Sequence, residues 1–490
     1  MVKKILVVLL AALVLVAALV VTRTLQYHTR QVAAVAATGL TVDANAAAER
    51  LADALKFRTV SYQDSTQFDA AEFRAFQAFL EQAFPKTHAT LSRELVGRFG
   101  LLYKWSGTDP TLAPVVLMAH QDVVPVEPGT ESRWTYPPFE GRLADGFVWG
   151  RGALDDKGNL IAELEAIEIL LSQNVVPRRT VYLASGYDEE VGGAHGAAAI
   201  ARVLGERRVH PEFVLDEGGA LASGLLPGVK GPVALVGIAE KGYLTLDLTV
   251  QAEGGHSSMP PRQTAIGILS AALDELEEHP VPGGIRGPTA EMFAYLGPEL
   301  PFRMRLLFAN RWLFGRLLAR SFGASGPGNA MLRTTTAPTI FQAGVKENVL
   351  PSSAHAVVNF RLLQGDSIAG IVDYVRRVIG DARVKVEISP SFKTEPSPVS
   401  PVEGDEFRLL ARTIREVVPS AIVVPWLVVG GTDSRYFAAL TTNVYRFSAA
   451  PVGGDDLERV HGTNERISVE GYGQNVKFYL QLIRNAAVNP

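Results

Sequence analysis

The sequence predicts an α/β fold of two domains, with an α+β unit inserted into the first domain and an apolar segment ahead of both. Three patterns carry this. From residue 46 to about 242, short apolar runs alternate with stretches of helical periodicity, as strands and covering helices do in an α/β layer. From 243 to about 395 the strand-like stretches alternate apolar and polar residues one by one, the mark of an antiparallel sheet with one wet face. From 396 to 490 the first pattern returns, so the middle unit reads as an insertion.

At 490 residues the chain has length for two to three domains. Its 47% hydrophobic and 20% charged content fits globular packing rather than disorder or a fibre. A net charge of −4 argues against a general nucleic-acid binder. Cysteine is absent, which excludes disulfides, thiolate metal sites and a cysteine nucleophile. Any transition metal must then sit on imidazole and carboxylate.

Lys3 and Lys4 precede an uninterrupted apolar run from Ile5 to Val21, at the short end of bilayer-spanning lengths. Residues 1–25 read as a retained membrane anchor or a cleaved signal. The run is longer than a usual signal core and no small-x-small site follows it, which favours the anchor. A two-lysine start stays in the cytoplasm, which puts the remainder outside the cytosol: periplasmic, extracellular or lumenal, and secreted if the segment is cleaved. Residues 26–45, Ala- and Val-rich from Gln31 onward, read as a stalk or a first helix.

The first domain part, 46–242, opens with helical patterns over 46–56 and 69–84, the second stopping near Pro85. Pro114 to Ala119 is a continuous apolar run of the kind that fits a strand buried on both faces. A helix from about Asn159 to Leu171, a strand from Thr180 to Ala184, a helix around Ala194 to Leu204 and the strand Phe213-Val214-Leu215 follow. In the insertion, 243–395, Tyr243 to Val250 and Ala354 to Arg361 alternate with period two, and Val384 to Ile388 is a third strand. Its helices run from Thr264 to Leu276 and from Ser367 to Gly380. The last part, 396–490, holds a helix from Asp405 to Val418, a strand from Ile422 to Val429 and a closing helix from Ser468 to Arg484.

Polar residues gather where the strands of the first domain end. His120-Gln121-Asp122 follows the Pro114 run, Asp155-Asp156 lies in the Gly150–Gly158 loop, Asp188-Glu189-Glu190 ends the Thr180 strand, and Asp216-Glu217 ends the Phe213 strand. In an α/β layer, sites form beyond the carboxyl ends of the strands. One His or acid there is an ordinary structural residue; four clusters in succession point to a shared site. Glu189 and Glu190 are neighbours at a strand end and point in different directions, so one is free to bind a cation while the other faces a substrate or a water.

These residues carry a resemblance to the dinuclear zinc peptidases and deacylases of the M20 family. Seven stretches match in order: Met118-Ala119-His120-Gln121-Asp122, Gly150-Arg151-Gly152-Ala153-Leu154-Asp155, Asp188-Glu189-Glu190, Leu215-Asp216-Glu217-Gly218, Gly255-His256-Ser257-Ser258, Asn348-Val349-Leu350-Pro351 and His461-Gly462-Thr463-Asn464-Glu465. The similarity runs from about residue 46 to the end and is strongest to the carboxypeptidase S and N-acyl-amino-acid hydrolase branch. It implies a zinc-peptidase-like catalytic α/β domain, with the inserted unit as a lid and dimerisation domain.

The resemblance also implies roles. Asp155 would bridge two zinc ions, with His120 and Asp216 on one and Glu190 and His461 on the other; cobalt or manganese would be substitutes. Three protein contacts per ion leave room for a water and the substrate, as catalytic zinc requires. Asp122 would fix the tautomer of His120 from behind. Glu189 would be the general base. His256 would stabilise the oxyanion, often across a homodimer, and Asn348, Arg361 and the turn Gly430-Gly431-Thr432 would hold the substrate's amide and terminal carboxylate.

The expected activity is zinc-dependent hydrolysis of an amide in a small substrate with a free carboxylate, as a C-terminal exopeptidase on short peptides. The alternatives are an N-acyl-amino-acid deacylase or synthase acting on hydrophobic acyl chains, and a catalytically silent binding module on the same fold. One stretch lies outside the motifs. Phe302 to Arg320 is apolar and basic with no acidic residue. It reads either as a buried helix pair or as a surface that touches lipid or covers an acyl chain.

Overall fold

The computed structural model describes residues 1–224, 229, 231–456 and 458–490. Its main sheet is ten-stranded and mixed. At its centre, Val115–Met118 pairs in parallel with Val181–Ser185 on one side and with Phe213–Asp216 on the other. Val444–Arg446 continues the sheet in parallel beyond Phe213–Asp216. These strands are buried on both faces, as their unbroken apolar sequences require. Register sets Met118 beside Ala184 and Leu117 beside Leu215, so three carboxyl ends finish side by side.

Helices cover both faces. Lys157–Ser172 is buried along most of its length because it lies between the sheet and the outer helices Ala44–Ala54 and Val469–Ile483. The predicted starts are explained by caps: Asp43, Asp69 and Ser468 each accept a backbone N–H from the first turn of the helix they precede.

A second, four-stranded antiparallel sheet stands apart with its own core. Its order is Thr335–Ala343, Ser353–Leu362, Gly242–Gln251, Val384–Ile388. Leu244, Leu246, Leu248 and Val250 bury one face together with Ala354, Ala356, Val358 and Phe360, which is the period-two pattern read from the sequence. The helices Ala265–Glu278 and Ile368–Ile379 close this core, capped by Thr264 and Ser367, and Gly380 ends the second with φ +60°.

Two features, the strand 335–343 and the segment 26–43, go beyond expectation, and a third, the 302–320 helix pair, matches one of its two readings in form but is only partly buried. Thr335–Ala343 forms the edge strand of the second sheet without an alternating pattern, because its outer edge and much of both faces are exposed. The 302–320 stretch is two helices, Phe302–Ala309 and Arg311–Phe322, broken at the buried Asn310. Residues 26–43 do not stand off as a stalk or form a helix. Instead the Tyr27 hydroxyl donates to Phe293 O (2.8 Å), Gln31 exchanges two hydrogen bonds with the Val423 backbone, and the Ala37 N–H donates to Glu416 O (2.8 Å). Two side chains and one backbone N–H thus hold the segment against the body of the protein.

Candidate metal centre

His120 leaves the end of Val115–Met118 and is buried. Its Nδ1 lies 2.9 Å from the backbone carbonyl of Asp122 and 3.3 Å from the Asp122 carboxylate. That leaves Nε2 aimed at Asp155 Oδ1, 3.0 Å away. The other Asp155 oxygen, Oδ2, lies 3.0 Å from His461 Nε2, and Glu190 Oε2 lies 3.2 Å from the same nitrogen. Asp155 thus stands between two imidazoles, one oxygen to each. His120, Asp155, Glu190 and His461 come together from four separate stretches of the chain.

The scaffold behind Asp155 and His461 is a buried ion pair that the sequence reading did not single out. Arg151 Nη1 donates to Glu465 Oε2 at 2.7 Å, and Arg151 Nη2 donates to the carbonyls of His461 and Gly462. Glu465 Oε1 accepts the N–H groups of Gly152, Leu154 and Asp155 at 2.8–3.2 Å. One arginine and one glutamate therefore lock the Asp155 loop to the His461 turn. His461 itself sits at φ +61°, a left-handed geometry that this double anchorage holds in place. At Gly462 an added Cβ would come within 2.1 Å of Glu458 O, so the close turn excludes a side chain.

Asp122 serves both sides of the cluster. It is fully buried, and its two carboxylate oxygens accept the backbone N–H groups of Glu189 and Glu190, each at 3.2 Å. The same side chain thus fixes His120 and sets the two glutamates. Glu189 turns toward Arg435, whose Nη2 lies 3.4 Å from its Oε1.

The expected ligand Asp216 stands buried at the same strand end. Its Oδ2 accepts the Ser434 N–H at 2.7 Å, and among the described residues the tightest groups of donors form without it. Its neighbour Glu217 instead reaches His120 Nε2, at 3.8 Å, and groups with His120 and Glu189. Successive residues at a strand end face opposite ways, and here the second faces the cluster.

Arg361 is half-buried over the Tyr243 ring, 4.5 Å from its centroid. Arg435 lies 5.3 Å from the Phe392 centroid, and Phe392 and Tyr243 are 5.8 Å apart. An aromatic pair thus links the Arg361 guanidinium to that of Arg435, which lies beside Glu189. Burial, together with repulsion from Arg435, lowers the Arg361 pKa. Thr432 donates its N–H and hydroxyl to the buried Glu240, which pairs with Arg446 at 2.9 Å. Gly430 has open space where a side chain would stand, and Gly431 backs onto the Arg435 guanidinium. His256 and Asn348 are exposed on the short ribbon that pairs Gly255–His256 with Val349–Leu350. Among the described residues, His256 hydrogen-bonds its own turn, through Ser258 Oγ at 2.8 Å, and no polar contact joins either residue to Asp155.

The electrostatics fit cations. Burial, seconded by the charges of Asp433 and Glu190 and opposed by His120, lifts Glu189 well above the usual carboxylate range. Burial and the neighbouring Asp155 and Asp156 do the same to Glu217, and burial with Asp155 raises Glu190 to about 7. Hydrogen bonds donated to Asp155 and Glu190 raise His461 to about 10. Asp433 and one Glu190 oxygen are buried with no hydrogen-bond partner among the described residues. The protein alone gives these acids too little positive charge, and divalent ions would supply it. The spacing agrees. Two donors at about 2.0–2.1 Å from one tetrahedral ion stand roughly 3.3 Å apart, against the 3.0, 3.0, 3.2 and 3.8 Å found here.

Glu217, Asp433, Arg435 and Glu465 were not singled out from the sequence. Glu217 and Glu465 lie inside matched motifs and were legible as acids, though not as contacts. Asp433 and Arg435 follow the Gly430 turn with no periodic or spacing signal of their own.

Comparison with known proteins agrees with the geometry. A family model described as peptidase family M20/M25/M40 matches residues 116–485. The chain is 42% identical over 442 residues to the probable carboxypeptidase S-like 2 of Dictyostelium discoideum, covering 89% of this chain and 84% of that protein. It is 43% identical over 442 residues to the N-fatty-acyl-amino acid synthase/hydrolase PM20D1 of Xenopus tropicalis, covering 89% and 85%. To carboxypeptidase S of Saccharomyces cerevisiae it is 33% identical over 497 residues, covering 90% and 84%. Among solved structures, an M20 family metallo-carboxypeptidase from Sulfolobus solfataricus shares the fold with a TM-score of 0.65 at 19% identity, over 91% of this chain and 99% of that one. On the family match and these identities over most of both chains, the chain belongs to peptidase family M20/M25/M40.

Proposed function

We propose that the chain is a two-zinc amidohydrolase that cleaves the amide bond of a small substrate bearing a free carboxylate. The observation that carries this is Asp155, with one oxygen on His120 and the other on His461. His120 and Glu217 would hold one ion, Glu190 and His461 the other, and Asp155 both. Zinc bound there supplies charge that polarises the scissile carbonyl and acidifies a water.

The remaining chemistry belongs to side chains. Glu189 accepts the proton of the attacking water and returns it to the departing amine. Its raised pKa suits both halves of that transfer. Asp122 keeps Glu189 and Glu190 in register through their backbone N–H groups. Arg435, beside Glu189, and Arg361 would take the substrate carboxylate, with Asn348 and the Gly430-Gly431-Thr432 turn holding the amide. His256 would act on the oxyanion from the second sheet, in a homodimer. The edge strand Thr335–Ala343 supports that assembly, since Ile340 and Phe341 are exposed on it and unpaired edges invite pairing.

The 42% identity to a carboxypeptidase S-like protein supports a short peptide as substrate, and the 43% identity to an N-fatty-acyl-amino acid enzyme supports an N-acyl amino acid beside it. The chain is read as two domains, a catalytic layer from 46–242 and 396–490 and a lid from 243–395. Ahead of them, Val2–Leu25 would be a membrane anchor with the remainder outside the cytosol. Its 24 residues reach about 36 Å at 1.5 Å each, enough for a hydrocarbon core of about 30 Å. The packing of its last turn on the body supports retention over cleavage.

A substrate panel tests the reading. Zinc-loaded protein is expected to hydrolyse dipeptides or long-chain N-acyl amino acids with a free carboxylate, and the ratio of the two rates decides between an exopeptidase and a deacylase. Amidating the substrate carboxylate should cut kcat/KM by roughly ten- to a hundredfold, the worth of one charged hydrogen bond. Equal rates on acid and amide would remove the carboxylate from the proposal.

Metal titration tests the ligand set. Glu217→Gln should weaken binding of one zinc by more than the roughly 10–100-fold typical of an outer residue, while Asp216→Asn should stay within that range. The reverse order would restore Asp216 as the ligand.

A further inference from the structure

Catalysis leaves the helices Phe302–Ala309 and Arg311–Phe322 unused. Their inner sides belong to the core: Phe308 and Phe322 lie 4.8 and 5.3 Å from the Phe293 ring, and Leu318 is buried. Their outer sides are different. Phe302, Met304, Trp312, Leu313 and Leu317 remain 37–56% exposed. Arg303, Arg316 and Arg320 are exposed with them, and residues 302–322 include no acid at all. On the second helix, Trp312, Arg316 and Arg320 follow one another at intervals of four, with Leu313 and Leu317 alongside, so apolar and basic groups share one face. Water alone gives no reason for such a face, and contiguous exposed apolar groups mark a binding surface.

Its place beside the N-terminal helix says what it binds. Asn310, at the junction of the two helices, donates from Nδ2 to Val20 O and to Thr24 Oγ1, both at 3.1 Å. Thr24 is fully buried there, although most of the N-terminal helix is exposed. The junction therefore meets that helix where the apolar run to Val21 gives way to Thr22-Arg23-Thr24. In a spanning helix this is the level at which hydrocarbon meets headgroups. The Trp312 indole donates to Asn310 Oδ1 at 3.3 Å, which puts a tryptophan at that level too, the depth where such rings collect. On such a face Trp and Leu side chains insert at this depth while the neighbouring Arg stems extend their guanidinium groups to the headgroups, more strongly on anionic lipid.

We infer that the outer face of Phe302–Phe322 is a second membrane contact, seated in the interface of an anionic bilayer beside the anchor. The depth of this contact rests on the anchoring role given to Val2–Leu25, whereas its apolar and basic composition stands without it. Two contacts instead of one would fix the orientation of the catalytic layer over the membrane and hold its opening at a set height above a lipid surface, where long-chain amphiphiles partition.

The lack of cysteine makes the test direct, since a single introduced cysteine is the sole labelling site. The full chain, carrying Leu313→Cys or Leu317→Cys with an environment-sensitive fluorophore, is reconstituted into phosphatidylcholine vesicles with and without phosphatidylglycerol. Leu10→Cys reports the N-terminal helix, and Val176→Cys, 62% exposed in the catalytic layer, reports water. All four sites are exposed, and matched thermal unfolding midpoints check that each variant folds. The expected result is a blue-shifted emission at 313 and 317, quenched by lipid-borne nitroxide and several-fold protected from aqueous iodide relative to 176. Phosphatidylglycerol should deepen the lipid quenching, and adding Arg316→Glu with Arg320→Glu should abolish it while the Leu10 label stays in lipid. Labels at 313 and 317 that behave like 176, with Leu10 in lipid, would overturn the second contact and leave the anchor standing. Leu10 in water with 313 and 317 in lipid would do the opposite. Protection from iodide without lipid quenching would mean that protein, such as a second copy of the chain, covers the face, and would also overturn the inference.

Discussion

Glu189→Gln lowers kcat by roughly 10²–10⁴-fold, the usual contribution of a positioned general base, and leaves zinc content unchanged. The amide keeps the size of the acid and its place above Asp122, because the hydrogen bonds that set this residue come from its backbone N–H. What it loses is the lone pair that takes the proton. Arg435, 3.4 Å away, loses an ion-pair partner, so a modest rise in KM is expected alongside. Single-turnover hydrolysis with metal analysis of the same sample checks both halves. A Glu189→Gln protein that hydrolyses normally would assign the base elsewhere. One that has lost a metal would make Glu189 a ligand, a role its grouping with His120 and Glu217 allows geometrically.

Asp155→Ala has the larger effect. It removes the one side chain that meets both imidazoles, so both zinc ions and all measurable activity are expected to go. The charge balance explains why the loss is joint. Two dications held close together repel, and an anion shared between them is the group that offsets this most effectively. Asp155 is also the one acid of the cluster whose pKa stays depressed: burial works against its charge, and His120 and His461 outweigh that. It is therefore ready as an anion before any metal arrives. Glu465→Gln makes a useful contrast, since Glu465 acts through the Asp155 loop, and positioning residues of this kind typically cost about 10–100-fold in metal affinity or activity. Metal content by atomic absorption separates the two. An Asp155→Ala protein that keeps two zinc ions would sink the bridging role.

Much of this was legible before any coordinates. The strands around His120, Glu189 and Asp216 announce themselves because burial on both faces demands unbroken apolar runs, and a site at their carboxyl ends follows from how α/β layers are built. The alternating stretches 243–250 and 354–361 gave the second sheet for the same kind of reason. What failed to show was whatever depends on direction rather than type. Asp216 and Glu217 are both acids at one strand end, and their separate partners, the Ser434 N–H more than two hundred residues on and the His120 ring, come only from the packed fold.

The chain's own chemistry, read in one dimension, settled the type of fold and its family, and the supply of imidazole and carboxylate where strands end. Folding in three dimensions decided the pairings: Glu217 near His120, Arg435 against Glu189, Arg151 tying two loops together, Asn310 fastening a helix pair to Val20. The reason is physical. Apolar periodicity is a local property that each segment carries with it, whereas a side chain's partner is set by which distant backbone or charge the packed core brings within hydrogen-bonding reach.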